Sequence, residues 1–155
     1  MSRAFIKEPD GGDAPEPLPD RPISPHPNFV TPEGLKLIDD QLADLRDRRA
    51  VSQAAEDRGA LAQIARDVRY WATRRATAQV VNPPGSSSEV AFGTTVTLAR
   101  DDGRQQTYRI VGEDEADPAR GTLSYVAPLA KALIGKSVGD TVRAGKSDME
   151  IIEIK

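Results

Sequence analysis

Two apolar stripes at helical spacing constrain the fold of this chain more than any other feature. Within each stripe the residues recur at steps of three and four: Leu35, Ile38, Leu42 and Leu45 in the first, and Leu61, Ile64, Val68 and Trp71 in the second. Such a seam lets one helix pack along another. The stripes are mirror images about Glu56 and Asp57, so the chain must reverse there. We therefore predict an antiparallel helical hairpin, a coiled coil with two carboxylates at its tip.

Local signals mark both ends of this hairpin. Thr31 is a favourable N-cap, and Pro32 suits the first helical position because its missing N–H costs nothing there. The sequence NPPG at residues 82–85 ends the return helix, since prolines cannot continue it. The hairpin is thus predicted at residues 31–82. At 1.5 Å per residue, an arm of about 26 residues is at most roughly 39 Å long.

The remaining sequence falls into three parts. Residues 1–30 contain seven prolines and little apolar periodicity, which predicts a flexible arm in which Phe5 and Ile6 can dock elsewhere. Residues 83–88 are interpreted as a linker. From residue 89 the apolar period changes to two, which predicts a small α+β domain at 89–155, with an antiparallel sheet and one short helix. In that domain we expect the acidic residues of 113–121 to form a solvated loop.

Charge is unevenly distributed along the hairpin. The 155-residue chain has a net charge of −3, which argues against generic nucleic-acid binding. Residues 45–75, however, carry a net charge of about +4, and every cation there is arginine. The candidate basic face comprises Arg46, Arg49, Arg66 and Arg69. It suits a polyanion or an acidic protein surface, with a merely solvated helix face as the alternative.

Several kinds of chemistry are disfavoured by composition. The chain has no cysteine and one histidine, His26, so neither a thiolate metal site nor a Ser/His/Asp arrangement is expected, and we predict no metal or cofactor of its own. The sequence has no apolar stretch of membrane-spanning length, which predicts a cytoplasmic protein without a membrane partner. Trp71 is expected in the hairpin core, with Tyr70 facing outward.

The C-terminal part resembles a known family. Residues 124–140, SYVAPLAKALIGKSVGD, are similar to the C-terminal signature of the bacterial GreA/GreB transcription elongation factors, in which a strand leads through a proline into a short helix and a Gly-Asp turn. The sequences FG at 92–93, DDG at 101–103 and YRIVG at 108–112 resemble the GreB-type domain. In the hairpin, TPEG at 31–34 and VRY at 68–70 are similar to the family's coiled coil, and SRAFIKE at 2–8 is similar to the start of some GreB-like chains.

This resemblance implies a transcription regulator that is not itself an enzyme. An FKBP-like C-terminal domain would dock at the rim of the secondary channel of bacterial RNA polymerase, through the segment Val126, Ala127, Pro128 and Leu129. The coiled coil would enter the channel, with contact to nascent RNA possible. Acidic tip residues, here Glu56 and Asp57, would help to hold a Mg²⁺ ion of the polymerase that activates a water for RNA cleavage. The protein is expected to act as a monomer.

The sequence departs from the family pattern at two places. The tip reads SQAAEDRG at 52–59 instead of the family's Asp-x-Ser-Glu-Asn run, and the hairpin is shorter. A loss of several residues per arm would leave the tip carboxylates on the order of 10 Å short of the metal, so we expect little or no stimulation of cleavage. At the docking segment, Val126 and Ala127 replace a polar residue and a serine, which predicts either a more apolar docking surface or a different partner surface.

Two other classes of function remain compatible with the sequence. One is a prolyl isomerase or chaperone that uses the FKBP-like domain, although few aromatic residues are available to line a prolyl pocket. The other is a protein-interaction module whose helical hairpin binds another helix, although the distal hairpin is rich in arginine rather than apolar.

Overall fold

The computed structural model describes residues 17–155. Its elements in chain order are β1 (Phe29–Val30), α1 (Pro32–Ala54), α2 (Arg58–Thr77), β2 (Gln79–Val80), β3 (Thr95–Arg100), β4 (Gln105–Val111), β5 (Thr122–Ser124), α3 (Pro128–Leu133), β6 (Thr141–Ala144) and β7 (Ser147–Ile154). Two short 3₁₀ turns, Glu113–Glu115 and Pro118–Arg120, connect β4 to β5. The predicted fold class, a helical hairpin followed by a small sheet domain with one short helix, is confirmed.

The hairpin begins and reverses where the sequence predicts. The Thr31 hydroxyl accepts a hydrogen bond from the Gly34 N–H at 3.0 Å, as an N-cap should, and α1 ends at Ala54. Glu56 takes a left-handed backbone conformation with φ 53°, which turns the chain into α2. The buried apolar residues of the seam are Ile38 and Leu45 of α1 and Ile64 of α2.

The C-terminal domain is a five-stranded sheet covered by α3. The strand order is β5-β4-β3-β7-β6, and the β4–β5 pair is parallel, so the sheet is mixed rather than wholly antiparallel. The predicted hairpin turn at 101–103 lies between β3 and β4, with Gly103 at φ 82°. The domain has its own core, formed by Val90, Val96, Leu98, Ile110, Leu123, Ala130, Leu133, Val142, Met149 and Ile151.

Residues 17–30 run along α2, which differs from the flexible arm predicted for this part of the chain. The Arg21 guanidinium lies 3.9 Å from the centre of the Tyr70 ring and 3.4 Å from an oxygen of Asp67. Further along the helix, Arg69 contacts Asp20 at 2.5 Å. Stacking and ion pairing thus hold a segment whose composition offers little apolar surface. Residues 1–16, with Phe5 and Ile6, lie outside the described residues.

A buried polar cluster joins this segment, the hairpin and the sheet domain; we call it the clasp, formed by Asn28, Tyr70, Arg74 and Asp114. The Arg74 side chain is 2% exposed, and its Nε donates to Asp114 at 2.6 Å. The Nη2 atom of Arg74 donates to Asn28 Oδ1 at 2.8 Å. The Tyr70 hydroxyl donates to the other Asp114 oxygen at 2.5 Å. Because a buried cation requires these partners, the clasp fixes how the hairpin leaves the domain.

A second contact lies beside the clasp. The Glu115 carboxylate accepts hydrogen bonds from the Thr31 N–H at 3.0 Å and the Gly112 N–H at 3.1 Å, and it also contacts the Thr31 hydroxyl. Gly34 leaves room for this carboxylate, because a Cβ there would lie 2.2 Å from the Glu115 Cδ. The start of α1 is therefore bound directly to the sheet domain, and the expectation that the acidic residues from 113 form a solvated loop is wrong for 113–115.

Two adjacent arginines provide a direct test of the clasp. We expect Arg74→Met to lower the free energy of unfolding by about 3 kcal/mol, because it leaves the Asp114 carboxylate buried without its cation. Arg75→Met is the matched control: Arg75 pairs with Asp39 at 2.7 Å, but both side chains are about half exposed, and we expect a loss below about 1 kcal/mol. Urea unfolding of both variants measures the difference. Equal decreases in the free energy of unfolding would show that the buried Arg74 stabilises the fold no more than the exposed Arg75 does.

Candidate functional site

The structure places the predicted functional residues on three separate surfaces. These are the tip of the hairpin, its distal half and an edge of the sheet domain. The clasp lies at the base of the hairpin and sets the relation between them.

The tip contains both predicted carboxylates. Asp57 is the N-cap of α2, and its Oδ1 accepts a hydrogen bond from the Ala60 N–H at 3.1 Å. Glu56 precedes it in the turn and is exposed. The helices that carry this tip have 23 and 20 residues, so they are about 35 Å and 30 Å long. One of the two candidate ligands therefore already serves the helix.

The four predicted arginines do not form one free face. Arg66 lies 3.2 Å from Asp67, and Arg69 is bound by Asp20 and by the Leu18 carbonyl oxygen at 3.0 Å. For Arg46 and Arg49 on α1, the described part of the chain offers no ion pair. Both of these side chains are exposed.

Arg49 and Arg69 both line a groove between the two helices. The groove has a cavity volume of about 350 Å³ and is lined by Arg49, Gln53, Leu61, Ile64, Ala65, Val68 and Arg69. It exists because α1 presents polar side chains here, whereas α2 keeps its apolar seam. We call it the arginine-edged groove.

The predicted docking segment lies at the edge of the sheet domain. Ala127 is the N-cap of α3, and Pro128 is its first residue. Together with Leu129 they line a cavity of about 370 Å³ whose other side is formed by Arg143, Ala144 and Gly145, at the end of β6. Val126 is half-buried beside it and does not line the cavity. Most of the lining is apolar, with one exposed cation, Arg143, for which residues 17–155 offer no ion-pair partner.

Sequence reasoning missed the other wall of this cavity and the whole of the clasp. Arg143 and Gly145 come to α3 only through the pairing of β6 with β7, which residue spacing does not reveal. Arg74 did leave a signal, because it follows Trp71 by three residues and so continues the apolar seam of α2. A charged residue at a seam position indicates a buried partner.

Burial in the clasp changes the acidity of its phenol. Desolvation, followed by the hydrogen bond to Asp114, raises the pKa of Tyr70 to about 12. Desolvation also raises the pKa of Tyr125, whose hydroxyl donates to the Pro27 carbonyl oxygen. The expectation that Tyr70 faces outward is wrong in this respect, since its hydroxyl is committed to the sheet domain.

Residues 17–155 offer neither a metal-binding cluster nor a membrane-spanning helix. Within 17–155, no group of three His, Asp or Glu side chains is arranged to hold a metal ion. No helix in that part of the chain is long and apolar enough to cross a membrane.

Comparison with known proteins gives consistent similarities. Residues 85–155 match the family model described as transcription elongation factor, GreA/GreB, C-term. The chain is 34% identical over 152 residues to the transcription elongation factor GreB of Neisseria meningitidis serogroup B, covering 83% of this chain and 93% of that protein. It is 39% identical over 120 residues to the transcription elongation factor GreA of Pseudomonas putida, covering 74% of each. A solved GreA/GreB structure from Nitrosomonas europaea is 19% identical, with a TM-score of 0.42, covering 82% of this chain and 98% of that one.

The raised pKa of Tyr70 predicts a dependence of stability on alkaline pH. Because the folded-state pKa of about 12 lies above the ordinary value of 10.0, the hydrogen bond to Asp114 contributes fully below pH 10 and is lost as the pH rises towards 12. The phenolate absorbance of the native protein should include a component that titrates near pH 12. Tyr70→Phe should remove that component and weaken the fall of stability across this window. A native titration complete near pH 10 would contradict the buried hydrogen bond.

Proposed function

The chain belongs to the GreA/GreB family of transcription elongation factors, and we propose that it regulates transcription by binding RNA polymerase at the secondary channel. The observation that carries the proposal is similarity to GreB across both the hairpin and the sheet domain. In this family the factor is not an enzyme, but stimulates cleavage by the polymerase.

We propose that the cavity beside α3 is the docking surface. Its apolar lining fits a protruding apolar side chain of the polymerase, and Arg143 can pair with a carboxylate beside that side chain. Because Ala127, Leu129 and Ala144 also pack against the domain core, the most accessible parts of this surface are Pro128 and Arg143.

The hairpin is proposed to insert in an orientation set by the clasp. Arg74 and Tyr70 bind Asp114 near the base of α2, and Glu115 holds the start of α1. Docking of the sheet domain would then direct the hairpin into the channel without a separate ordering step, which lowers the entropic cost of binding.

One further feature supports contact with an acidic surface in the channel. Arg46 and Arg49 are exposed on the distal half of α1, where a polymerase carboxylate or nascent RNA could reach them. Arg66 and Arg69 would contribute only if their contacts with Asp67 and Asp20 open.

We further propose that the protein acts as a monomer in the cytoplasm, where its polymerase partner works.

The tip is proposed to support little or no RNA cleavage. Glu56 and Asp57 could supply oxygen ligands only to a Mg²⁺ bound mainly by the polymerase, and Asp57 Oδ1 is already engaged by the Ala60 N–H. The short arms further limit how far these carboxylates reach. The protein would then act mainly by occupying the channel.

The alternative functions gain no support. Phe29, Phe92 and Tyr125 pack against one another, with ring centres 5.4–6.2 Å apart, so these rings are engaged in packing instead of lining a prolyl pocket. The family assignment likewise does not favour a general helix-binding module.

Docking can be tested by placing negative charges on the cavity rim. Pro128→Asp combined with Arg143→Glu should weaken binding to purified polymerase about tenfold or more, a change of about 1.4 kcal/mol, because it places two carboxylates on the docking surface. Lys146→Glu is the matched control, since it reverses an exposed charge next to Gly145 that does not line the cavity. Thermal unfolding verifies that each variant is folded. Equal affinities of folded variants would refute the docking surface.

The tip can be tested without disturbing the helix it caps. Glu56→Gln with Asp57→Asn removes both charges, and asparagine remains a good N-cap. We expect weak stimulation of cleavage in backtracked transcription complexes by the wild type, and no further loss in the double variant at equal polymerase affinity. Strong Mg²⁺-dependent cleavage that disappears in the variant would overturn this part of the proposal.

A further inference from the structure

The arginine-edged groove is an incomplete part of the hairpin interior. Ile64 at its floor is 2% exposed, whereas Leu61 and Val68 beside it are only half-buried. On α1, the facing positions are Arg49 and Gln53. The α1 side chains that line the groove are thus polar, whereas four of its α2 side chains are apolar, which predicts an occupant with both apolar and acidic groups.

The described chain leads to this groove from its N-terminal side. Asn28 belongs to the clasp, and Arg21 stacks over the Tyr70 ring. Asp20 and Leu18 then contact Arg69, which itself lines the groove. The chain, followed towards its N-terminus, therefore runs along α2 towards the tip. It reaches the rim of the groove at residue 18.

Residues 1–16, which precede this point, have the length needed to fill the groove. From Arg69 to Leu61, the groove extends eight residues of helix, about 12 Å. The eleven steps from Pro17 back to Ile6 can span up to roughly 36 Å, so Ile6 and Phe5 reach the floor with slack. Gly11 and Gly12 allow the chain to bend within that slack.

The same residues have the chemistry that the groove requires. Between the point of entry and the apolar pair lie four carboxylates, Glu8, Asp10, Asp13 and Glu16, against one lysine, Lys7. Entering beside Arg69, these carboxylates would pass between Arg69 and Arg49, while Phe5 and Ile6 would meet Leu61 and Val68. Removing such apolar side chains from water would stabilise the bound segment.

We propose that residues 1–16 bind in the arginine-edged groove of the same molecule, with Phe5 and Ile6 on its apolar floor and the acidic stretch between Arg49 and Arg69. In the free protein, the N-terminal segment then covers the distal basic surface. This inference concerns the chain alone and does not depend on binding to polymerase.

A spin label gives a direct test, because the sequence has no cysteine and a single introduced one is labelled uniquely. A nitroxide on Ala4→Cys in the full-length, isotope-labelled protein should reduce the amide signals of Leu61, Ala65 and Val68, and leave those of Val138 and Lys146 unchanged. Adding Phe5→Asp and Ile6→Asp to the labelled chain should restore the groove signals.

Further variants and mixtures distinguish the effect of added charge from loss of the apolar pair, and binding within one molecule from binding between two. Ser2→Asp with Ala14→Asp adds the same charge to the segment but keeps the apolar pair, and should preserve the signal loss. Arg49→Glu should diminish it, as should added salt. No selective loss at the groove, or full restoration by the control pair, would overturn the proposal. Signal loss in a mixture of labelled and isotope-labelled molecules would instead indicate a second copy as the occupant, and would also overturn it.

Discussion

The buried guanidinium of Arg74 is the interaction on which the arrangement of this protein depends. Asn28, Tyr70 and Asp114 come from three different parts of the chain, and all of them converge on or around this one cation. Moving any of these parts away would leave a charge or a polar group buried without its partner, a larger penalty than the loss of an exposed ion pair. The sheet domain has a complete core of its own, so the clasp is needed for orientation rather than for folding of that domain.

Most of the fold could be predicted from the sequence because its signals are local. The seam spacing, the Thr31 cap and the mirror point at Glu56 define the helical hairpin without reference to distant residues. In the sheet domain, the turn at Gly103 and the helix start at Pro128 are equally local. The mixed character of the sheet was not predicted, since the short parallel pair of β4 and β5 is formed through two 3₁₀ turns that have no clear sequence signal.

The site was predicted less completely because charge pairing is non-local. Arg74 and Asp114 are 40 residues apart, so the charged seam position of Arg74 indicates a buried partner without identifying it. In the same way, the local sequence places Arg69 on a candidate basic face, whereas Asp20, 49 residues away, binds it. The docking segment itself was identified, but the cavity that it forms with Arg143 arises only from strand pairing.

The tip shows how a structural requirement competes with a functional one. A helix N-terminus leaves N–H groups without partners, and here Asp57 satisfies that of Ala60. A carboxylate that also had to ligate a metal would share its oxygens between the helix and the ion, so its geometry would be set by the turn rather than by the metal. In this chain Asp57 caps α2 at the end of the hairpin where the groove lining on α1, Arg49 and Gln53, is polar. The cap at Asp57 is therefore the structural basis of the proposal that the hairpin occupies a channel rather than supplies metal ligands.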